Sequence, residues 1–135
     1  MNATEVVAKA VAPPVVFRLL VLQVSMDATG GTYTCTVGIK QGDKDLQTDA
    51  APSRNSVVAI CKAIGRVTGF DGKLLRYHAN SVGECLDEFE ALVVVAGKDG
   101  GQVSAQARSV DILVALGTAY LAAINKICSG ECYIG

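Results

Sequence analysis

Apolar and polar residues alternate along three successive stretches near the start of the chain, a period typical of strands with one buried face. The turn compositions ATGG and QGDK separate the stretches, so they predict three antiparallel strands in chain order. The three strands are FRLLVLQVS at 17–25, TYTCTVGIK at 32–40, and the residues that follow QGDK.

The period then changes to that of a helix in SRNSVVAICKAIGRV, residues 53–67. Ser53 or Asn55 can cap the start of this helix, and Gly69 is a typical end signal. Its predicted core side consists of Val57, Ile60, Cys61, Ile64 and Val67.

The same order of patterns occurs a second time, with strands at 73–82, 88–97 and 101–108 and the helix SVDILVALGTAYLAAINK at 109–126. One constant, gapless shift of the chain against itself superimposes the two halves, pairing Leu19 with Leu75, Val21 with Tyr77 and Ser53 with Ser109. The sequence therefore predicts an α+β fold of duplicated βββα units with pseudo-twofold symmetry, in which two helices cover antiparallel sheets.

The second helix has two apolar faces of different character. Its large residues, which we expect to form the core stripe, are Leu113, Leu116, Tyr120, Ile124 and Ile127. Its other face carries Ile112, Ala115, Ala119 and Ala122, residues that permit the close approach of another helix or of a ligand. A second subunit of a homodimer could lie on this face.

The composition limits the classes of partner. A net charge of −1 and the absence of tryptophan argue against nucleic acid or an anionic membrane as partner. No stretch has the length of uninterrupted apolar sequence that a membrane helix needs, since Pro13, Pro14, Arg18 and Gln23 break the longest. The odd number of cysteines, five, indicates a reduced, cytoplasmic protein.

Little in the sequence indicates catalysis, a cofactor or a metal. His78, the single histidine, lies in a predicted strand beside Tyr77, and the run Asp87 to Glu90 is typical of a solvated loop. The two thiols of CSGEC are too few for a tetrahedral zinc site.

The starts of the two helices predict a binding site for a small anion such as an amino-acid carboxylate. A helix start presents backbone N–H groups and the positive end of a dipole, and the two starts are Ser53–Val57 and Ser109–Ile112.

Three segments together, LLRYHANSVGECLDE, Gln106–Arg108 and SVDILVALGTAYLAAIN, carry a resemblance to a known family. They resemble the C-terminal regulatory (LeuA allosteric/dimerisation) domain of the 2-isopropylmalate synthase and citramalate synthase family. The matching positions are Leu74, Tyr77, Asn80, Val82, Asp87, Ser109, Asp111, Ile112, Ala115, Ala119, Tyr120, Ala123 and Asn125.

The resemblance implies a domain that binds leucine or isoleucine at a homodimer interface and inhibits a catalytic barrel that is not in this chain. It implies no enzyme activity for the chain itself, and it divides the chain into a linker remnant at 1–14, the regulatory domain at 15–127 and a tail at 128–135. The effector positions that it implies are Val57, Val58, Leu74, Tyr77, Ser81, Glu88 and Ile112.

The chain departs from the family pattern where it enters the first helix. The family has a Gly-x-Gly-Pro-Val-Asp-Ala loop there, whereas this chain has SRNSVVA, and Arg108 or Glu88 could instead hold the charged groups of a ligand. A second hypothesis is therefore a structural dimerisation module without a ligand, and a third is a small enzyme built around Tyr77 and His78.

Overall fold

The computed structural model describes residues 16–83 and 87–128 of the 135-residue chain. The predicted linker at 1–14, the tail beyond Cys128 and the cysteine at 85 lie outside the described residues. So does most of the CSGEC stretch.

Six strands and two helices follow one another in the predicted order. The first unit contains β1 (Phe17–Asp27), β2 (Thr32–Gln41), β3 (Gln47–Ser53) and helix α1 (Ser56–Thr68). The second contains β4 (Lys73–Val82), β5 (Glu88–Ala96), β6 (Gln102–Ser109) and helix α2 (Ile112–Cys128). This order confirms the duplicated βββα architecture.

Each unit has its own antiparallel sheet, with strand orders β1-β2-β3 and β4-β5-β6. In each middle strand every second residue is fully buried, as the alternation predicted. These inward positions, Cys35, Val37 and Ile39 on β2 and Ala91, Val93 and Val95 on β5, define the helix-facing side of each sheet. Both sheets and both helices contribute to one core cluster.

The constant shift that the sequence predicted relates the two units in most elements, but not in their first strands. Leu19 lies opposite Ile39 and Leu74 opposite Val95, so the strand pairing makes Leu74, and not Leu75, the equivalent of Leu19. The bulges at Leu20 and Leu75 are equivalent in the same way. The predicted pairing of Leu19 with Leu75 is therefore wrong by one position, because the connection between β4 and β5 is one residue longer than that between β1 and β2.

Helix α2 is buried on more sides than α1. It packs on β5 and β6 of its own unit, and it also contacts β1 and α1 of the other unit. The core stripe predicted on it is confirmed for Leu116, Tyr120 and Ile124. The small residues Ala115 and Ala119 are both 0% exposed and take part in the same core, and α2 contacts α1, as expected if small residues allow the close approach of another helix. These two alanines therefore offer no surface to a second subunit. Neither described helix combines the length and the apolar character that a membrane crossing requires.

Candidate functional site

The two helix starts are capped in the same way. The Asn55 side-chain oxygen accepts hydrogen bonds from the backbone N–H groups of Val57 (2.8 Å) and Val58 (3.1 Å). In α2 the Asp111 carboxylate accepts from Leu113 and Val114 at the same two distances. The two caps thus use backbone N–H groups that the predicted carboxylate site at the helix starts required. Asp111 also adds a negative charge at the start of α2.

Two of the seven predicted effector positions line one cavity, and the others lie outside its lining. Val58 and Leu74 line the cavity, whereas Val57 belongs to the core beneath α1. Tyr77 and Ser81 lie on the same helix-facing side of β4 as Leu74, opposite Val93 and Phe89. Ile112 begins α2.

Three of these positions are large apolar side chains that remain exposed. Tyr77 is 47% exposed, Val58 40% and Ile112 38%.

Glu88 does not join the other predicted positions. It pairs with Val82 and lies on the side of the second sheet that faces away from α2, as do Glu90 and Asn80. Arg108 is 3.9 Å from Glu88 and 3.3 Å from Glu90, so the two residues considered as holders of ligand charge interact with each other.

The pseudo-twofold symmetry breaks where each helix meets the first strand of the other unit. On one side β1 lies close to α2, because Gly117 has no side chain. A Cβ placed on Gly117 would be 2.9 Å from a methyl group of Leu22 and 3.4 Å from one of Leu19.

On the other side α1 and β4 are separated by a cavity of about 610 Å³. The position equivalent to Gly117 is Cys61, and the positions equivalent to Leu19 and Leu22 are Leu74 and Tyr77. The cavity is lined by Val58, Cys61, Lys62, Gly65, Arg66, Phe70, Gly72, Lys73, Leu74 and Tyr120.

Tyr120 of α2 and Phe70, just after α1, pack edge to face at this cavity. Their ring centroids are 6.1 Å apart with an interplanar angle of 78°, a geometry favoured by the ring quadrupoles. Burial, and after it the nearby Cys61 thiol, raise the pKa of the Tyr120 hydroxyl, which therefore stays protonated.

Cys61 and His78 are poorly suited to nucleophilic chemistry. Burial raises the pKa of Cys61 to about 12, with a further contribution from Cys35, so at neutral pH it is a thiol and not a thiolate. His78 lies opposite Leu92 on the outer side of the second sheet, away from the cavity. Among the residues the structure describes, no three His, Cys, Asp or Glu side chains are grouped so that they could hold a metal ion.

The mouth of the cavity is cationic. Lys62, Arg66 and Lys73 line it, and Arg66 is partly engaged, with a hydrogen bond to the Ala50 carbonyl and Asp49 4.0 Å away. None of the described residues in the lining is acidic. The arrangement can therefore hold a small apolar anion.

The sequence pattern missed Cys61, Phe70 and Tyr120 as cavity residues, since it assigned Cys61 and Tyr120 to the core. Tyr120 gave one signal that could have been used, because it places a hydroxyl in the otherwise apolar core stripe of α2.

Comparison with known proteins gives one family and a consistent set of relatives. The family model of the LeuA allosteric (dimerisation) domain matches residues 4–128. Proteins named 2-isopropylmalate synthase are similar to the chain. That of Picosynechococcus sp. is 37% identical over 116 residues, which is 85% of this chain and 21% of the relative.

Two further relatives with that name show the same coverage. The protein of Trichodesmium erythraeum is 34% identical over 115 residues, covering 85% of this chain and 21% of the relative. That of Microcystis aeruginosa is 34% identical over 111 residues, covering 82% and 21%. The chain thus spans about a fifth of the length of the relatives it matches.

Proposed function

Because the chain belongs to the LeuA allosteric (dimerisation) domain family, we propose that it is the feedback-regulatory part of a 2-isopropylmalate synthase-like or citramalate synthase-like acyltransferase. It binds a branched-chain amino acid, leucine or isoleucine, and pairs with a second copy of itself. The chain carries no acyl-transfer chemistry of its own, and the catalytic domain that it regulates corresponds to the part of the relatives outside the matched fifth.

The observation that carries this proposal is the cavity between α1 and β4. Its volume of about 610 Å³ lies in the range typical of small-molecule sites. Its wall is apolar at Val58 and Leu74, two of the positions that the family resemblance implied. Burial of a branched aliphatic side chain there contributes roughly 1.5–3 kcal/mol of binding free energy.

The exposed side chains of Val58, Tyr77 and Ile112 support the dimer part of the proposal. A second copy that covers them would remove apolar surface from water and would close the open side of the cavity. Effector binding and dimerisation then share one surface, which is how a ligand could change the arrangement of two subunits.

The test is titration calorimetry of the chain with leucine, isoleucine and alanine, together with light scattering. We expect one of the branched amino acids to bind and alanine to bind far more weakly, and the protein to be a dimer. Val58→Asp places a charge in the cavity wall and should abolish binding. Val110→Asp, at an exposed valine outside the lining, is the matched control and should leave binding intact.

If the protein is a dimer and neither branched amino acid gives a heat of binding, the structural module without a ligand is favoured. A monomer that binds neither would contradict both hypotheses.

A further inference from the structure

The hydroxyl of Tyr120 is a buried polar group to which none of the described residues offers a hydrogen bond. Tyr120 is 4% exposed and its ring is held by Phe70. Within the described part of the chain, the hydroxyl makes no hydrogen bond. Buried tyrosine hydroxyls usually have a partner, and an unsatisfied one costs about 1–3 kcal/mol.

The position of this hydroxyl points to the cavity. Tyr120 lines the cavity together with Cys61, Phe70 and Leu74. Since the hydroxyl stays protonated, it is available as a hydrogen-bond donor to an oxygen of a ligand.

The charged residues that line the cavity are all cationic, although Asp49 lies 4.0 Å from Arg66. Lys62 and Lys73 line it and form no ion pair within the described residues. The nearest acidic residue in sequence, Asp71, is outside the lining and is 3.5 Å from the ammonium group of Lys98. The lining thus has cations for a carboxylate but no carboxylate for an ammonium group.

We propose that this cavity binds small branched aliphatic carboxylates and that an amino group on the ligand is not needed for binding. The alkyl group lies against Phe70 and Leu74, the carboxylate lies near Lys62 and Lys73, and the Tyr120 hydroxyl donates a hydrogen bond to a ligand oxygen. The inference concerns the cavity of the proposed function and rests on that proposal for its location, but it widens the ligand class from amino acids to their deaminated counterparts.

Three probes of one carbon skeleton separate the contributions of the two charged groups. Titration calorimetry of the whole chain would use 4-methylpentanoate, which has only the carboxylate, leucine, which has both groups, and 3-methylbutylamine, which has only the amine. We expect 4-methylpentanoate to bind at least as tightly as leucine, and the amine not to bind.

Tyr120→Phe removes the hydroxyl and keeps the ring that packs on Phe70. Loss of a hydrogen bond to a charged group should weaken binding of 4-methylpentanoate by about tenfold or more. The unliganded variant should be at least as stable as the parent, because the hydroxyl has no partner to lose, and this readout separates a binding role from a structural one. Tyr33→Phe, at a half-buried tyrosine of β2 outside the lining, is the matched control.

The outcomes separate this inference from the proposed function. If leucine binds and 4-methylpentanoate does not, the inference is overturned and the amino-acid effector stands. If Tyr120→Phe binds 4-methylpentanoate as the parent does, the role given to the Tyr120 hydroxyl is overturned. If 4-methylpentanoate binds and neither amino acid does, the inference stands and the proposed effector is wrong. If none of them binds, both are overturned.

Discussion

Asn125 near the end of α2 and Phe17 at the start of β1 exchange two hydrogen bonds although 108 residues separate them in sequence. The Asn125 side-chain oxygen accepts from the Phe17 N–H at 2.8 Å, and its NH₂ group donates to the Phe17 carbonyl at 3.0 Å. This reciprocal pair joins the first strand of one unit to the helix of the other.

Replacement of Asn125 by aspartate should destabilise the fold by about 1–3 kcal/mol, because a carboxylate cannot donate to the Phe17 carbonyl and faces its oxygen instead. The measurement is the free energy of unfolding in urea. Gln23→Glu, at an exposed glutamine of β1 opposite Thr36, makes the same change from amide to carboxylate and is the control for the added charge. Equal losses in the two variants would show that the pair with Phe17 contributes nothing to stability.

The capping residues should each contribute to stability. Asn55→Ala and Asp111→Ala each remove an acceptor of two backbone N–H groups. We expect each to lower the free energy of unfolding by about 1 kcal/mol, within a range of 0.5–2. Asn55→Asp keeps an acceptor in place and should lose much less; a loss as large as that of Asn55→Ala would argue against the capping explanation.

Two glycines should respond differently to alanine. A Cβ on Gly72 would overlap the backbone carbonyl oxygen of Ala96, which cannot move without disturbing β5, so Gly72→Ala should cost about 1–3 kcal/mol. A Cβ on Gly117 would meet only side-chain methyl groups, that of Leu22 at 2.9 Å and those of Ile60 and Leu19 at 3.4 Å, and alanine favours the helix by about 1 kcal/mol. We expect Gly117→Ala to unfold near the parent's temperature; a severe loss would show that β1 cannot adjust on α2.

Stability should fall at alkaline pH. Burial raises the pKa of Cys35 to about 11 and that of Cys61 to about 12, from an ordinary value of 9.0. Below about pH 9 both thiols are protonated in the folded and unfolded states, and stability is unaffected. Above it the unfolded state loses the protons first, so the free energy of unfolding should fall by up to roughly 1.4 kcal/mol per pH unit for each thiol.

The check is urea unfolding under reducing conditions at pH 8, 9.5 and 10.5, in the parent and in Cys61→Ala. The variant is less stable at every pH, but its stability should fall less steeply. Cys128→Ser, which alters an exposed thiol, is the control and should follow the parent. A slope that Cys61→Ala leaves unchanged would mean that other groups cause the alkaline loss.

The element order could be read from the sequence because each period is a local signal. Alternation placed Val37 and Val93 in the middle strands, and helical spacing placed Ile60 and Ile124 on the helices, where all four are buried. The one-position slip between β1 and β4 could not be read in this way, since each strand has two adjacent leucines, at 19–20 and 74–75, that fit either alignment.

The cavity was less predictable, because it depends on how two units approach each other. Val58 and Leu74 were implied by the family resemblance and line it, but Cys61 and Tyr120 were assigned to the core. Glu88 was misplaced relative to the others because the face on which a strand residue lies changes with every position. β1 packs closely on α2, whereas a cavity separates β4 from α1, because Gly117 of α2 corresponds to Cys61 of α1. Only the packed structure shows this effect.

The two hydrogen bonds between Phe17 and Asn125 also connect the start of β1 to α2, the helix that carries Tyr120 at the cavity. A segment joined ahead of β1 is therefore attached close to α2. A ligand that shifts α2 would therefore act directly on the first residue of β1. This contact is one route by which occupancy of the cavity could reach a domain joined ahead of β1.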